Sequence, residues 1–323
     1  MKQPQAYSGW QIVGDGAVGM ALAHRLHRIG EKVRLAGRTG RPDPSMLTFQ
    51  HPPEPAVEWA CPTRSDPGDQ PVERLVLATK AFSVEEALAT WRPGLADGAR
   101  VYFLQNGRGF RRPGDLPANI HSLIVVNNGF AAFRSSTQSV VQTACEPLWI
   151  GDEAGGSTPA SNAVLGDLDR LIAAGFLARW TPSIDECQWS KIAANAVINP
   201  LTAIFGCPNG ELLDREEPRM LVEALCKENA AVLQSLGFGG RAVELLETTR
   251  HIIRATSSNL SSMLADLQRG HGRSELEFIN HQLILAADEH GVSVPINRSV
   301  HDRAAAVFRE SCGSGSDAST TGS

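Results

Sequence analysis

Up to residue 126 short apolar runs alternate with segments whose apolar positions recur at the helical period; beyond Pro182 only the helical period survives. The strand-like runs are 10–13, 31–37, 74–79, 100–105 and 122–126. Between them, 20–26 and 83–91 read as helices, the second with Ser83 as N-cap and Glu86 as its capping-box partner. Such alternation predicts an α/β unit built on a doubly wound parallel sheet. The Pro-, Asp- and Ser-rich stretch 42–69 reads as mostly loop, with room for one or two short strands. Residues 140–142 and 147–151 read as edge strands. From Asp185 the predicted helices are 185–205, 218–236, 243–255, 262–268 and 275–290, which form an all-α domain. The expected division is 1–181, 182–311 and a Gly/Ser/Thr-rich tail, 312–323, that is expected to be disordered.

The first strand and first helix are joined by Gly14-Asp15-Gly16-Ala17-Val18-Gly19. Strand, G-x-G-x-x-G, helix is the dinucleotide-binding fingerprint and makes the parallel-sheet unit Rossmann-type. The first glycine allows the tight turn, the second lets backbone approach a pyrophosphate, and the third lets helix and strand pack closely. The helix N-terminus then offers free N–H groups to phosphate. A chain that binds NAD usually ends its second strand in Asp or Glu, for the ribose 2′-OH. Here that strand runs into Gly37-Arg38-Thr39-Gly40-Arg41, with no acid. A guanidinium suits a 2′-phosphate, so the reading is NADPH/NADP+, with Arg38 on the phosphate and Arg41 as a helper. A plain basic surface loop is the competing reading.

Composition narrows the classes. The chain has 323 residues and a formal net charge of −5, which points to neither nucleic acid nor an anionic membrane. No apolar run is long enough for a membrane span, and residues 1–9 lack a signal-peptide core. Six scattered cysteines suggest reduced thiols and a cytoplasmic location, and the spacing of the histidines shows no metal-ligand cluster.

Candidate chemistry clusters at strand ends and on one helix. Lys80, Asn106 and Asn127-Asn128-Gly129 each follow a strand, where ligands of open α/β sheets bind. Each is equally readable as an ordinary loop residue. In the second domain Lys191, Asn195 and Asn199 recur at i, i+4, i+8 with apolar residues between them, so they form a polar stripe on a buried helix. Pro200 should bend that helix. The stripe reads as the wall of a cleft, or else as a lysine snorkelling from a core helix beside two structural asparagines. Asn259, Ser261 and Ser262 precede a helix, where Ser and Asn are usually N-caps, and Glu275 begins another, where an acid suits the helix dipole.

The glycine segment, Ala78-Thr79-Lys80-Ala81, Gln105-Asn106-Gly107, the stretch 191–201, Cys207-Pro208-Asn209-Gly210-Glu211-Leu212, Ser261-Ser262-Met263-Leu264 and Ser274-Glu275-Leu276-Glu277-Phe278-Ile279-Asn280 together resemble the 2-dehydropantoate 2-reductase (ketopantoate reductase) family, in order and spacing. The resemblance implies a 6-phosphogluconate-dehydrogenase-like two-domain plan. It implies reduction of 2-dehydropantoate to (R)-pantoate by NADPH, a step of pantothenate and coenzyme A synthesis. It makes Lys191 the proton donor and sets Asn106, Lys191, Asn195, Asn199, Asn209, Asn259, Ser261 and Ser262 around the substrate. Gly14, Asp15, Gly16, Ala17, Val18, Gly19, Arg38, Lys80, Asn106 and Glu275 would hold the cofactor, and no metal is implied. The protein would act as a monomer or homodimer on a small 2-oxo acid. Three departures stand out: Ser190 where many members have Arg, the Gly270-His271-Gly272 connection, and Asn127-Asn128-Gly129 in place of a Thr/Ser-rich segment. Two other readings stand beside this one. One is a reductase or dehydrogenase of another 2-oxo or 3-hydroxy acid, of the 6-phosphogluconate type. The other is an NADPH-binding sensor, which would need neither Lys191 nor Glu275.

Overall fold

The structure, a computed structural model, describes residues 6–37, 43, 45–111, 114–144, 147–153, 155, 159, 161–270 and 272–313, the side chains of 312 and 313 excepted. Arg38, Arg41, His271 and the tail beyond residue 313 lie outside the described residues. The chain divides into two compact units: 1–105 with 110–187, and 106–109 with 188–323.

The first unit runs β1 (Tyr7–Val13), α1 (Ala17–Arg28), β2 (Val33–Ala36), β3 (Ser45–Gln50), β4 (Val57–Cys61), β5 (Val72–Leu77), α2 (Val84–Trp91), β6 (Leu95–Phe103), β7 (His121–Asn127), β8 (Ala131–Arg134), β9 (Ser139–Ala144), β10 (Leu148–Asp152), α3 (Asn162–Ala173) and β11 (Ala178–Trp180). Its main sheet has the order β11-β10-β7-β6-β5-β1-β2. The five strands β2, β1, β5, β6 and β7 are parallel, as the alternating pattern predicts. The strand order reverses between β1 and β5, the point where such sheets open a crevice beyond their carboxyl ends.

Three expectations change, and one, the room for two short strands within 42–69, is met. Residues 147–151 do form β10, but it pairs antiparallel with β7 and parallel with β11, so it is an interior strand. Residues 140–142 belong to β9, which is also interior, in a separate sheet of order β4-β3-β9-β8. The stretch 42–69 supplies two strands of that sheet, and β3 pairs in parallel with β9 some ninety residues later. At α2, Ser83 makes no side-chain cap. It closes the 3-10 turn Ala81–Ser83, its backbone is not extended, and its N–H donates to Lys80 at 2.9 Å, so the capping box with Glu86 does not form.

The second sheet explains why α1 is buried nearly all round. One side of α1 packs on β1 and β2, the other on β3, β8 and β9. Met20, Ala21, Leu22, Ala23 and Leu26 are buried. His24 is buried too, stacked on Phe49 at 4.1 Å and edge-on to Trp59. Neither of its ring nitrogens has a hydrogen-bond partner, and burial, with Arg28, His27 and Arg25 nearby, pushes its pKa down to about 4. Across the main sheet a buried charge cluster ties α3 to two strands. Asp167 accepts from Arg74 and Arg100, each at 2.6 Å, and from the Tyr102 hydroxyl at 2.7 Å.

The second unit is helical. It is built on α4 (Ile184–Phe205), α5 (Glu211–Asp214), α6 (Glu216–Ser235), α7 (Gly239–Ala255), α8 (Ser262–Gln268), α9 (Leu276–Glu289) and α10 (Pro295–Gly313). Its core gathers around Ile192, Ala193, Ala196 and Val197 of α4. The helix runs on through Pro200. A proline there leaves the carbonyl of Ala196, four residues back, without its helical donor. The fully buried Asn280 of α9 supplies one, its Nδ2 donating to that carbonyl at 2.8 Å. Asn229 of α6 donates likewise to Ala193. Three helices escape the sequence reading: α3, the one-turn α5 and α10. The first turn of α10 is capped from α6: Glu228 accepts from the N–H groups of Ile296 and Asn297, at 2.8 and 2.9 Å.

Candidate active site

In the first unit the glycines do what their positions require. Gly14 has φ +116°, and a Cβ there would lie 2.6 Å from the Ala78 carbonyl, so the turns after β1 and β5 touch at the switch point. A Cβ on Gly19 would lie 1.9 Å from the Gly14 oxygen. At Gly16 a Cβ would meet nothing within 4 Å. That residue is the N-cap of α1, with extended backbone and no side-chain cap, and no acid occupies the first turn. The N–H groups of Ala17 and Val18 and the positive helix end therefore border open space, a cradle suited to a pyrophosphate. Lys80 follows β5 and starts the turn into α2, partly exposed. One neighbour was not foreseen: a Cβ on Gly37, just past β2, would lie 2.6 Å from the Asp15 carboxylate. The acid missing from the end of β2 in sequence is thus present there in space.

In the second unit the polar stripe of α4 holds. Asn199 is buried, while Lys191 and Asn195 are partly so. The side chains of Asn195 and Asn199 make no hydrogen bond to another described residue. Burial pushes the Lys191 ammonium down to about 8, against the opposing pull of the Glu275 carboxylate. Glu275 is the buried N-cap residue of α9, and its side chain does not cap.

Asn106 groups with these residues because its loop is latched to the helical unit. Gln188, one turn before Lys191, donates to the Gly107 carbonyl at 2.9 Å and accepts from Arg108 at 2.9 Å. The N–H of Arg108 donates to Phe278 of α9 at 2.8 Å. Gly107, at φ +88°, has no room for a Cβ, which would lie 1.9 Å from the Phe278 oxygen. One short loop is therefore tied to both helices that carry Lys191 and Glu275. Gln188 extends the Lys191–Asn195–Asn199 stripe back by i−3 and was legible on that ground. Arg108 and Phe278 gave no local signal.

Other candidates divide. Asn209 is buried and donates to Thr256 at 2.8 Å, while its Oδ1 has no partner. Its N–H donates to the Asn259 carbonyl, which fixes that loop, and the Asn259 side chain is exposed. Ser261 is a working N-cap: its Oγ accepts from Leu264 at 3.1 Å and lies 2.6 Å from the Thr202 hydroxyl. Ser262 is exposed. Asn127 organises the turn into β8, accepting from Gly129 and Phe130, which favours the loop reading. The histidine spacing hides one grouping that the fold creates, Glu277 with His281 and His301. Among the described residues, no helix is long and apolar enough to cross a membrane, and Cys61, Cys187, Cys207 and Cys226 are in no disulfide.

Comparison with known proteins bears on this arrangement. Residues 10–155 match the family described as ketopantoate reductase PanE/ApbA, and residues 183–307 match its C-terminal part. The chain is 30% identical over 300 residues to the 2-dehydropantoate 2-reductase of Vibrio cholerae serotype O1, covering 90% of this chain and 95% of that one. In fold it is similar to the PanE/ApbA family ketopantoate reductase from Ralstonia eutropha JMP134, with a TM-score of 0.80 and 23% identity over 94% of this chain and 99% of that one. It is equally similar to D-mandelate dehydrogenase in a ternary structure with NADH and anilino(oxo)acetate, with a TM-score of 0.81 and 20% identity over 94% and 99% of the two chains.

Proposed function

We propose that this chain, which belongs to the ketopantoate reductase PanE/ApbA family of oxidoreductases, reduces 2-dehydropantoate to (R)-pantoate with NADPH. The observation that carries the reading is Lys191: a lysine on an apolar helix, its pKa brought down to about 8 against the pull of Glu275, with two uncommitted amides on its own face.

The nicotinamide supplies a hydride from C4 to the keto carbon. The protein's own work is then to orient the keto acid and to place a proton on the forming alkoxide. The Lys191 ammonium does both: its charge stabilises the oxyanion and its Nζ donates the proton, leaving a neutral amine that solvent reprotonates. Asn195 and Asn199 offer N–H donors to the substrate's carboxylate and hydroxyl, and Asn106 is a further donor. Glu275 keeps the ammonium form populated near neutral pH and holds the cofactor ribose. Asn209, Asn259, Ser261 and Ser262 line the substrate end, Ser261 through its backbone because its hydroxyl caps α8. Gly14 to Gly19 take the pyrophosphate, Lys80 the adenosine side, and Arg38 the 2′-phosphate.

A second cofactor reading rests on Asp15. Its carboxylate at Gly37 could accept from a ribose 2′-OH, which would favour NADH. A second substrate reading, another 2-oxo acid, rests on the shared fold of the D-mandelate dehydrogenase. Steady-state oxidation of NADPH and of NADH, with 2-dehydropantoate beside a panel of aliphatic and aryl 2-oxo acids, separates all of these. The expected result is the highest kcat/KM for 2-dehydropantoate with NADPH. Arg38→Ala should weaken NADPH about 10- to 100-fold and leave NADH unchanged, as loss of a charge-assisted contact of ~1.5–3 kcal/mol requires. Preference for NADH in the unmodified protein, abolished by Asp15→Asn, would reverse the cofactor assignment. A higher kcat/KM for an aryl 2-oxo acid would reverse the substrate assignment, and tight NADPH binding without turnover would favour a sensor.

A further inference from the structure

We propose that Glu277, His281 and His301 form a binding site for a divalent transition-metal ion of the zinc class, which staples α9 to α10. Glu277 and His281 are one helical turn apart on α9 and so share a face. His301 comes from α10, which packs against α9. One donor atom from each of the three lies within 4.8 Å of the others. The two imidazoles are 5.8 Å apart between ring centroids and tilted by 41°, so they are not stacked face to face.

His301 is already oriented as a ligand would be. Its Nε2 is buried, has no hydrogen-bond partner and lies 3.7 Å from Oε1 of Glu277. Its Nδ1 lies 3.3 Å from Oδ1 of Asp302. With the ring proton on Nδ1, toward that carboxylate, the lone pair is on Nε2, the arrangement that outer carboxylates impose on zinc-bound histidines. An imidazole nitrogen buried with nothing to accept from is otherwise a cost to the fold.

The donor set selects the metal class. Two imidazoles and one carboxylate suit zinc and its neighbours, whereas calcium and magnesium take oxygen donors. Zinc bonded at about 2.0–2.2 Å draws its ligands closer than they now lie. Glu277 is exposed, so its carboxylate can swing inward with little repacking. Three protein ligands leave a fourth, tetrahedral position for water. Ligation would pin the first turn of α9, which starts directly after Glu275.

The test is titration of the full-length, tag-free chain with Zn²⁺ by calorimetry, and with Co²⁺ read by its visible ligand-field absorption. The chain has nine histidines and six cysteines, so the readout is the difference between wild type and variant. Wild type should bind one equivalent of Zn²⁺ that His281→Gln and His301→Gln lose or bind more than about 100-fold more weakly. Asp302→Asn should weaken it about 10-fold, as expected of an outer partner. Zn²⁺ should raise the Tm of wild type but not of the two histidine variants. The exposed Glu277→Gln variant should also bind more weakly, and it decides the matter if a histidine variant does not fold. Folded Glu277→Gln and His301→Gln chains that titrate like wild type would overturn the site.

Discussion

Lys191 sits where two environmental effects oppose each other: loss of water disfavours its charge, and the Glu275 carboxylate favours it. With a pKa brought down to about 8 the side chain is still mostly ammonium at pH 7, yet acidic enough to give up its proton. In the proposed mechanism reduction uses the ammonium, so kcat should be flat below pH 8 and fall as pH rises through that value. By the same proposal, oxidation of the hydroxy acid uses the neutral amine, so its rate should rise over the same interval. Lys191→Met keeps the stem and deletes the charge; it should lower kcat by about 10²–10⁴-fold with circular dichroism unchanged. Near-normal turnover in that variant would pass the role of acid to Glu275.

At the scale of one element, α4 carries the proposed proton donor and also a defect. Pro200 removes the N–H that would satisfy Ala196, and Asn280 repairs the loss from another helix. Asn280→Ala should destabilise the chain by about 1–3 kcal/mol, the usual cost of a buried carbonyl left unpaired. Pro200→Ala in that background restores a backbone donor and should recover part of the loss. Urea unfolding of the two single variants and the double variant measures the coupling; strict additivity would show that the asparagine does not compensate for the proline.

For the molecule as a whole, the small second sheet turns an ordinary Rossmann helix into a buried one, and His24 records the change. The group's pKa is about 4 in the fold against 6.5 in an unfolded chain, so the fold holds it neutral. Its contribution is complete above pH 6.5, and is lost as pH falls toward 4, because only the unfolded chain takes up the proton in that window. The loss should amount to about 3 kcal/mol. His24→Leu should flatten the decline of stability between pH 6.5 and 4. An identical pH dependence in wild type and variant would mean that water reaches the ring.

Local rules were enough for the elements whose signals lie within one segment. The parallel strands β1, β2, β5, β6 and β7 are short apolar runs, the glycines between β1 and α1 answer to steric demands of a single turn, and α4 declares its polar stripe by helical period alone. The family resemblance was legible for the same reason, since it rests on contiguous motifs. What the linear pattern missed depends on partners far along the chain. The cap on α10 comes from Glu228, β3 finds β9 some ninety residues away, and the short strand β10 is interior because β11 covers its outer edge. The site divides in the same way. Lys191, Asn195 and Asn199 are set by one helix. The loop of Asn106 is joined to the helices of Lys191 and Glu275 only because Gln188, Arg108 and Phe278 hold it there. Sequence determined which side chains could do chemistry, because that depends on residue type and helical phase. Tertiary structure decided which of them meet, and moved the Lys191 pKa, because burial and the approach of Glu275 are properties of packing between segments.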